Sequence, residues 1–418
     1  MIDANMPHKR RISESLATEE RLLTAVLTLW ANTSSAEISV RAVASEADVA
    51  VSAIDYHFGK LEHLYGAAQA RAFALADQWL QARLVLTSAL EGQNLGAHGI
   101  ACAISSIIDD WAEAQRPLAM ARREASAMAR DGRDAQSHIL WTALWRDFWT
   151  RMSGILGVPQ QSETVAAFCA GEVTQHLLRW KRPLDQALLG ETVKAFVDQI
   201  LGERIGASMV RQAYSELAER EYRGSIDIDE QAPAALDAAA ADLLKERGLS
   251  ALTFRAVADR AATTLGHASY HFGSKTRMLQ RAFDQLYRTA SEGGSELGEW
   301  GRDAVLEAVL RAVVGGSNPI LRAFDEVIAH IARSEDHLPL RGIIRGYRDP
   351  AASWALAGLL SSPASPSPAL AAAFSSLCRG IDHLALALEP QEAERLGRAV
   401  LEQFVSPDEV PRSRGDLR

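Results

Sequence analysis

The chain has 418 residues, 48% of them hydrophobic and 23% charged, with a net charge of −9. This is the balance of a folded globular protein of roughly two to three domains, and it excludes a protein that is basic all over. No apolar run approaches the roughly 20 residues of a membrane span, so no membrane partner is expected.

Residues 1–15 are polar, with Lys9, Arg10 and Arg11 clustered, and MIDANMPHKRRIS lacks the apolar core of a signal peptide. They read as a flexible arm. Cys102, Cys169 and Cys378 are odd in number and far apart, which fits a reduced, cytoplasmic compartment and neither disulfides nor a zinc site. Leu22, Val26 and Leu29 recur at helical spacing and predict a helix from about Thr18 to Ala31. Ser39 is a good cap for a second helix, on which Val43, Ala44 and Ala47 form a small, tight face. A turn near Asp48 leads to a third short helix ending at Tyr56-His57-Phe58-Gly59.

The same order returns 214 positions later. Arg41–Gly59 reads RAVASEADVAVSAIDYHFG and Arg255–Gly273 reads RAVADRAATTLGHASYHFG, without insertion. Such self-similarity is the signature of a repeat architecture. Pro233–Arg247 repeats the first helix and Gly248 is placed to end it, while Thr253 repeats Ser39 as a cap. Helix, short turn and helix with a small packing face predict a helix-turn-helix unit.

Between and after these heads the sequence is helical in pattern. Helices are predicted at Gln78–Thr87, Ile100–Arg130 with a break near Pro117, Ser137–Leu156, Thr164–Arg182, Asp185–Leu201 and Ile205–Tyr222. In the second half they are predicted at Arg302–Val314, Ile320–Arg333, Ala351–Ser361, Ser367–Glu389 and Gln391–Val405. VKAFVDQIL at Val193 and RAVLEQFV at Arg398 look related, so each half reads as a complete unit.

The S/T-x-R-x-V-A-x-x-A pattern followed by YHFG, and by YHFGSK in the second copy, resembles the DNA-binding head of tetracycline-repressor-like (TetR) regulators over about 45 residues per copy. The resemblance implies an all-α protein of two tandem units. Each has a three-helix helix-turn-helix head and a larger helical domain that binds a small molecule and dimerises. Expected boundaries are the arm at 1–15, head one at 16–70, its helical domain at 71–222, a linker at 223–232, head two at 233–284, its helical domain at 285–406, and a disordered tail at 407–418.

By that resemblance, phosphate contacts fall to Ser39 and Thr253, Tyr56 and Tyr270, His57 and His271, and a Lys that opens the fourth helix. The second copy has Lys275 there. The first has Leu61, with Lys60 one residue early. Arg41 and Arg255 add charge beside them. The rival reading of each His is a packed, hydrogen-bonded core residue. Base reading falls to Ala50, Ser52, Ala53 and Asp55 in head one, and to Thr264, Gly266, His267 and Ser269 in head two; Asp55 would repel phosphates or accept from cytosine N4. Where the family has a turn Gly, this chain has Asp48 and Ala262; a left-handed Ala costs roughly 1–2 kcal/mol. Thr264 is a better cap than Ala50 by about 1 kcal/mol. Six basic residues face nine acidic ones over 1–65, against seven and five over 234–285. Head two is therefore expected to supply more of the DNA affinity.

The helical domains are less legible. Trp111, Trp141, Trp145 and Phe148, with Phe324 and His330 in the second half, mark a candidate aromatic pocket for an apolar or planar effector, against the plainer reading as core. Glu172 with His176 and Glu326 with His330 stand at i, i+4, a spacing better explained by surface pairing than by metal. No Walker loop, dinucleotide fingerprint, nucleophile elbow or zinc-protease helix is present, so no enzyme, metal or cofactor is expected. The reading is a DNA-binding, ligand-responsive repressor on an imperfect palindrome, paired within one chain or as a homodimer. The alternative is a ligand-binding or protein-interaction module whose heads have decayed.

Overall fold

The structure is a computed structural model and describes residues 6–225, 234–294, 300–314, 318–347, 350–360 and 365–406. The expected tail at 407–418 and most of the expected linker, 226–232, lie outside the described residues. The described residues hold helices and no strand.

In chain order the α-helices are α1 (Met6–Asn32), α2 (Val40–Glu46), α3 (Ser52–Phe58), α4 (Leu61–Thr87), α5 (Gly96–Glu113), α6 (Arg116–Arg130), α7 (Ala135–Ile155), α8 (Ser162–His176), α9 (Arg182–Ile200) and α10 (Met209–Ser225). They continue as α11 (Ala234–Arg247), α12 (Phe254–Arg260), α13 (Leu265–Phe272), α14 (Lys275–Gly294), α15 (Arg302–Val314), α16 (Pro319–Ile331), α17 (Leu338–Tyr347), α18 (Pro350–Leu360), α19 (Pro368–Ala385) and α20 (Pro390–Val405). Among the described residues no single helix is long and apolar enough to cross a membrane.

Most expected helices stand within a few residues of their places. α1 starts at Met6 rather than Thr18, so the expected arm is helical from there on. The break at Pro117 falls in the first turn of α6, where the missing N–H costs nothing. α8 ends at His176, short of the expected Arg182, and α17 was not anticipated at all.

The chain divides into two compact units, residues 1–89 with 111–148, and 90–110 with 149–418. In the first, α1 packs on α2, α4 and α6 around Leu22, Val26 and Trp30, which are fully buried. In the second, α11 packs on α12, α14 and α16, and α8 and α9 pack on α19 and α20. The α8–α19 contact brings main chains together. A Cβ built on Gly171 would lie 1.9 Å from the Ser376 carbonyl oxygen, and one on Gly380 would lie 1.7 Å from that of Ala167. Ala167-x3-Gly171 and Ser376-x3-Gly380 thus meet reciprocally, as small residues four apart allow. Ser376 Oγ donates to Glu172 at 2.6 Å, and Phe168, Phe196 and Phe404 stack beside the seam.

Candidate nucleic-acid interface and ligand pocket

Both heads carry the turn that a helix-turn-helix requires. Asp48 has φ +50° and Ala262 has φ +52°, the left-handed conformation expected at these positions. Asp48 is tied down, since Arg21 donates to its carbonyl oxygen and pairs with its carboxylate at 3.2 Å. Ala262 has no side chain that can do this.

The caps of the second helix match. Ser39 Oγ accepts from Ala42 N at 3.1 Å, and Thr253 Oγ1 accepts from Ala256 N at 3.2 Å. The two recognition helices differ. Thr264 caps α13 by accepting from His267 N at 3.2 Å. α3 starts a residue later relative to its counterpart; Val51 stands at its N-cap, and no side chain caps it. α14 opens on Lys275 behind Ser274, whose Oγ accepts from Arg277 N at 3.1 Å. At α4 the cap position is taken by Lys60 in extended backbone, followed by Leu61 and Glu62.

On head two, Arg255, Thr264, Gly266, His267, Ser269, Tyr270 and Lys275 are all exposed, Tyr270 to 90%. His267 Nδ1 lies 2.9 Å from Thr263 Oγ1, which steadies the ring with Nε2 directed away from that bond. On head one, Arg41, Ala50, Ser52, Asp55, Tyr56 and Lys60 are exposed, while Ala53 and His57 are half-buried. His57 stands edge-on to Tyr56, 5.0 Å between ring centres.

His271 departs from the expected phosphate role. Its side chain is 5% exposed, and Nε2 lies 3.0 Å from Asp237, which also takes two bonds from Arg281. It is a core residue joining α13 to α11, the rival reading. Burial works to raise the Asp237 carboxyl, but the Arg281 and His271 hydrogen bonds bring it below its ordinary value. The equivalent of Asp237 in head one is Leu23, so His57 has no such anchor.

The aromatic residues of the first unit are core, not pocket. Trp111, Trp141, Trp145 and Phe148 are each at most 2% exposed and close on one another, Trp111 edge-on to Trp141 and the other pairs tilted. Arg122 lies 4.3 Å over the Trp145 ring, and burial beside Arg123 lowers its guanidinium to about 9.

In the second unit a small cavity of about 20 Å3 lies among Phe283, Tyr287, Phe324, Ile328, Arg379 and Gln175. Phe324 lines this cavity and His330 does not; His330 faces His337, 5.5 Å between ring centres. Gln175 reaches in from α8, which no periodicity could have announced. Its Oε1 and the Arg379 Nε are buried without a hydrogen-bond partner. Asp325 balances the Arg379 charge at 2.8 Å and also meets His383 at 2.9 Å.

The first i, i+4 pair is not a surface pair either. Glu172 and His176 are buried, and His176 lies between Asp109 at 2.7 Å and Arg345 at 3.0 Å. Burial lowers the His176 imidazole. Burial opposes ionisation of Asp109, yet bonds from His176, Arg182 and Gln186 hold its carboxyl well below the usual range.

The comparison with curated proteins found no match. Residues 236–282, running from α11 through the helix-turn-helix into α14, match the family described as bacterial regulatory proteins, tetR family.

Proposed function

We propose that the chain is a DNA-binding transcriptional regulator, a repressor released by a small effector. The observation that carries this reading is the exposed face of α13: a capped helix with Tyr270 and Lys275 beside it and Arg255 on α12. Phosphate contacts position such a head and base-edge contacts specify its site. His267, Ser269 and Thr264 stand where base edges would be read. Head one carries Arg41, Tyr56 and Lys60 as counterparts of this surface, but among more acidic side chains.

The effector belongs in the pocket under α14. Its walls are apolar, its orphan polar atoms are one acceptor and one donor, and Arg379 is already neutralised by Asp325. At about 20 Å3 the space holds a water, so Phe283, Tyr287 and Phe324 would move apart to admit a small, uncharged, largely apolar molecule with one hydroxyl or amide group. Bound there, it touches both α14, which supports the head, and α8. Effector and operator affinities would then be coupled, each changing the other by the same factor.

The reciprocal Gly171–Ser376 and Gly380–Ala167 contacts support a second element of the proposal, two duplicated halves paired within one chain. Self-complementary contacts of this kind are those of a twofold dimer interface.

Titration of fluorescent duplexes from the non-coding DNA flanking the gene tests the reading at fixed salt. Arg255→Ala with Lys275→Ala is expected to weaken binding about tenfold, and Arg41→Ala with Lys60→Ala much less. No salt-dependent binding to any duplex would count against it.

A further inference from the structure

We infer that the chain reads DNA through its second head alone, so that its operator is one asymmetric half-site and not a palindrome. The inference rests on the DNA-binding reading above and departs from the sequence expectation of two reading heads.

Equal windows of the two heads carry opposite charge. Residues 236–282 hold seven basic and four acidic side chains; the matched residues 22–68 hold two basic and five acidic. Much of any protein's DNA affinity comes from neutralising phosphates, and its sign is set locally.

Position by position, the change falls on the surface that would meet the duplex. Asp55 stands exposed on α3 where α13 has Ser269, and Glu62 stands exposed on the first turn of α4 where α14 has Thr276. Asp48 projects from the turn with its side chain fully exposed, and the Arg21 beside it is drawn into that pair. Glu37 and Glu46 are exposed at the two ends of the α2 segment. Against these, head one offers Arg41 and Lys60, and Lys60 sits at the cap before α4, whereas Lys275 is the first residue of α14.

The reading helix itself is less well made. α3 has no side-chain cap and presents Ser52, Ala53 and Asp55, with no donor on a long side chain. α13 is capped by Thr264 and presents a His held by Thr263. A carboxylate on α3 meets phosphate repulsion before it can accept from a cytosine amino group. Two cations do not offset five acidic side chains within one head.

Selection of a random-sequence duplex library on the full-length chain tests this. The expected product is a single asymmetric motif. A duplex holding one motif should bind within about twofold as tightly as a duplex holding two in inverted repeat. Replacing Arg41 and Lys60 by Ala should change affinity less than about twofold, and Arg255→Ala with Lys275→Ala should cost more than about tenfold. A two-box palindrome, or a preference above about tenfold for the inverted repeat, overturns the inference and leaves the regulator reading intact. A library with no enriched motif at all overturns both. An affinity loss in the head-one variant equal to that in the head-two variant overturns the inference alone, because both heads would then be touching DNA.

Discussion

Asp284 on α14 shows how one carboxyl can set a pH dependence. The Tyr222 hydroxyl donates to it at 2.8 Å. Burial nonetheless pushes its pKa up to about 6, the Tyr222 bond pulling the other way. An unfolded Asp titrates near 3.9, so the folded state binds this proton more tightly. The stability it adds is full below about pH 4 and is lost as pH rises through about 6. Asp284→Asn removes the ionisation and keeps an acceptor for Tyr222. The variant should match the wild type near pH 4 in urea unfolding, and exceed it by roughly 1–2 kcal/mol near pH 7.5, after allowance for partial solvent contact. No gain near pH 7.5 would mean that the carboxylate is held there at no cost.

At the scale of elements, one contact recurs in both heads. Glu326 on α16 accepts from Leu249 N at 2.7 Å, and Glu124 on α6 accepts from Ser35 N at 3.1 Å. Ser35 and Leu249 are 214 positions apart, the offset of the two heads. In each case a helix outside the head pins the loop before the helix-turn-helix. In head two the carboxylate fills the space a Cβ on Gly248 would need, and Gly248 has φ +79°. Glu326→Ala leaves a backbone N–H without its acceptor, a loss of about 1–3 kcal/mol. Amide exchange should speed up in α11–α13 and stay unchanged in α19 and α20, with Glu326→Gln intermediate because its amide oxygen still accepts. Uniform acceleration would reduce the contact to general stability. These heads were the legible part of the sequence, because period, caps and the left-handed turn are local signals. α17 was not legible. Arg341 and Arg345 interrupt its apolar pattern, yet both are buried, donating to main-chain carbonyls of Leu178, Arg179 and Asp185 more than 150 positions away. Sequence reasoning places Arg at the surface unless it is paired, and most partners here are main-chain carbonyls, joined at Arg345 by His176 at 3.0 Å and the Asp185 carboxylate at 3.6 Å. The same blindness hid Gln175 from the pocket and Asp237 from His271. Ala167-x3-Gly171 and Ser376-x3-Gly380 stand plainly in the sequence, but four small residues in alanine-rich helices carry no mark of what they meet.

At the scale of the whole molecule, the question is what takes the face of α8 and α9. Left bare, it would be a broad apolar surface: Val165, Phe168, Val193 and Phe196 are fully buried there, and such a patch on a free chain calls for a partner. The chain supplies the partner itself, through α19 and α20. Gln199 donates to the Phe404 carbonyl at 2.7 Å and Gln403 to that of Gln160 at 2.8 Å, closing the seam on both sides of the stacked rings. A second copy could enter only by displacing this pairing, at the cost of main-chain packing that no side chain intervenes in. The expected mass of the isolated full-length chain by light scattering is therefore 45.4 kDa. It should stay there across micromolar concentrations. Gly380→Val, which must drive its side chain into the Ala167 carbonyl, should lower the melting temperature and release the face, so that the variant gains mass with concentration. A wild-type chain of twice the mass would show that another surface pairs copies. Two α13 helices would then be available to one DNA site, and the single half-site would lose its stoichiometric basis.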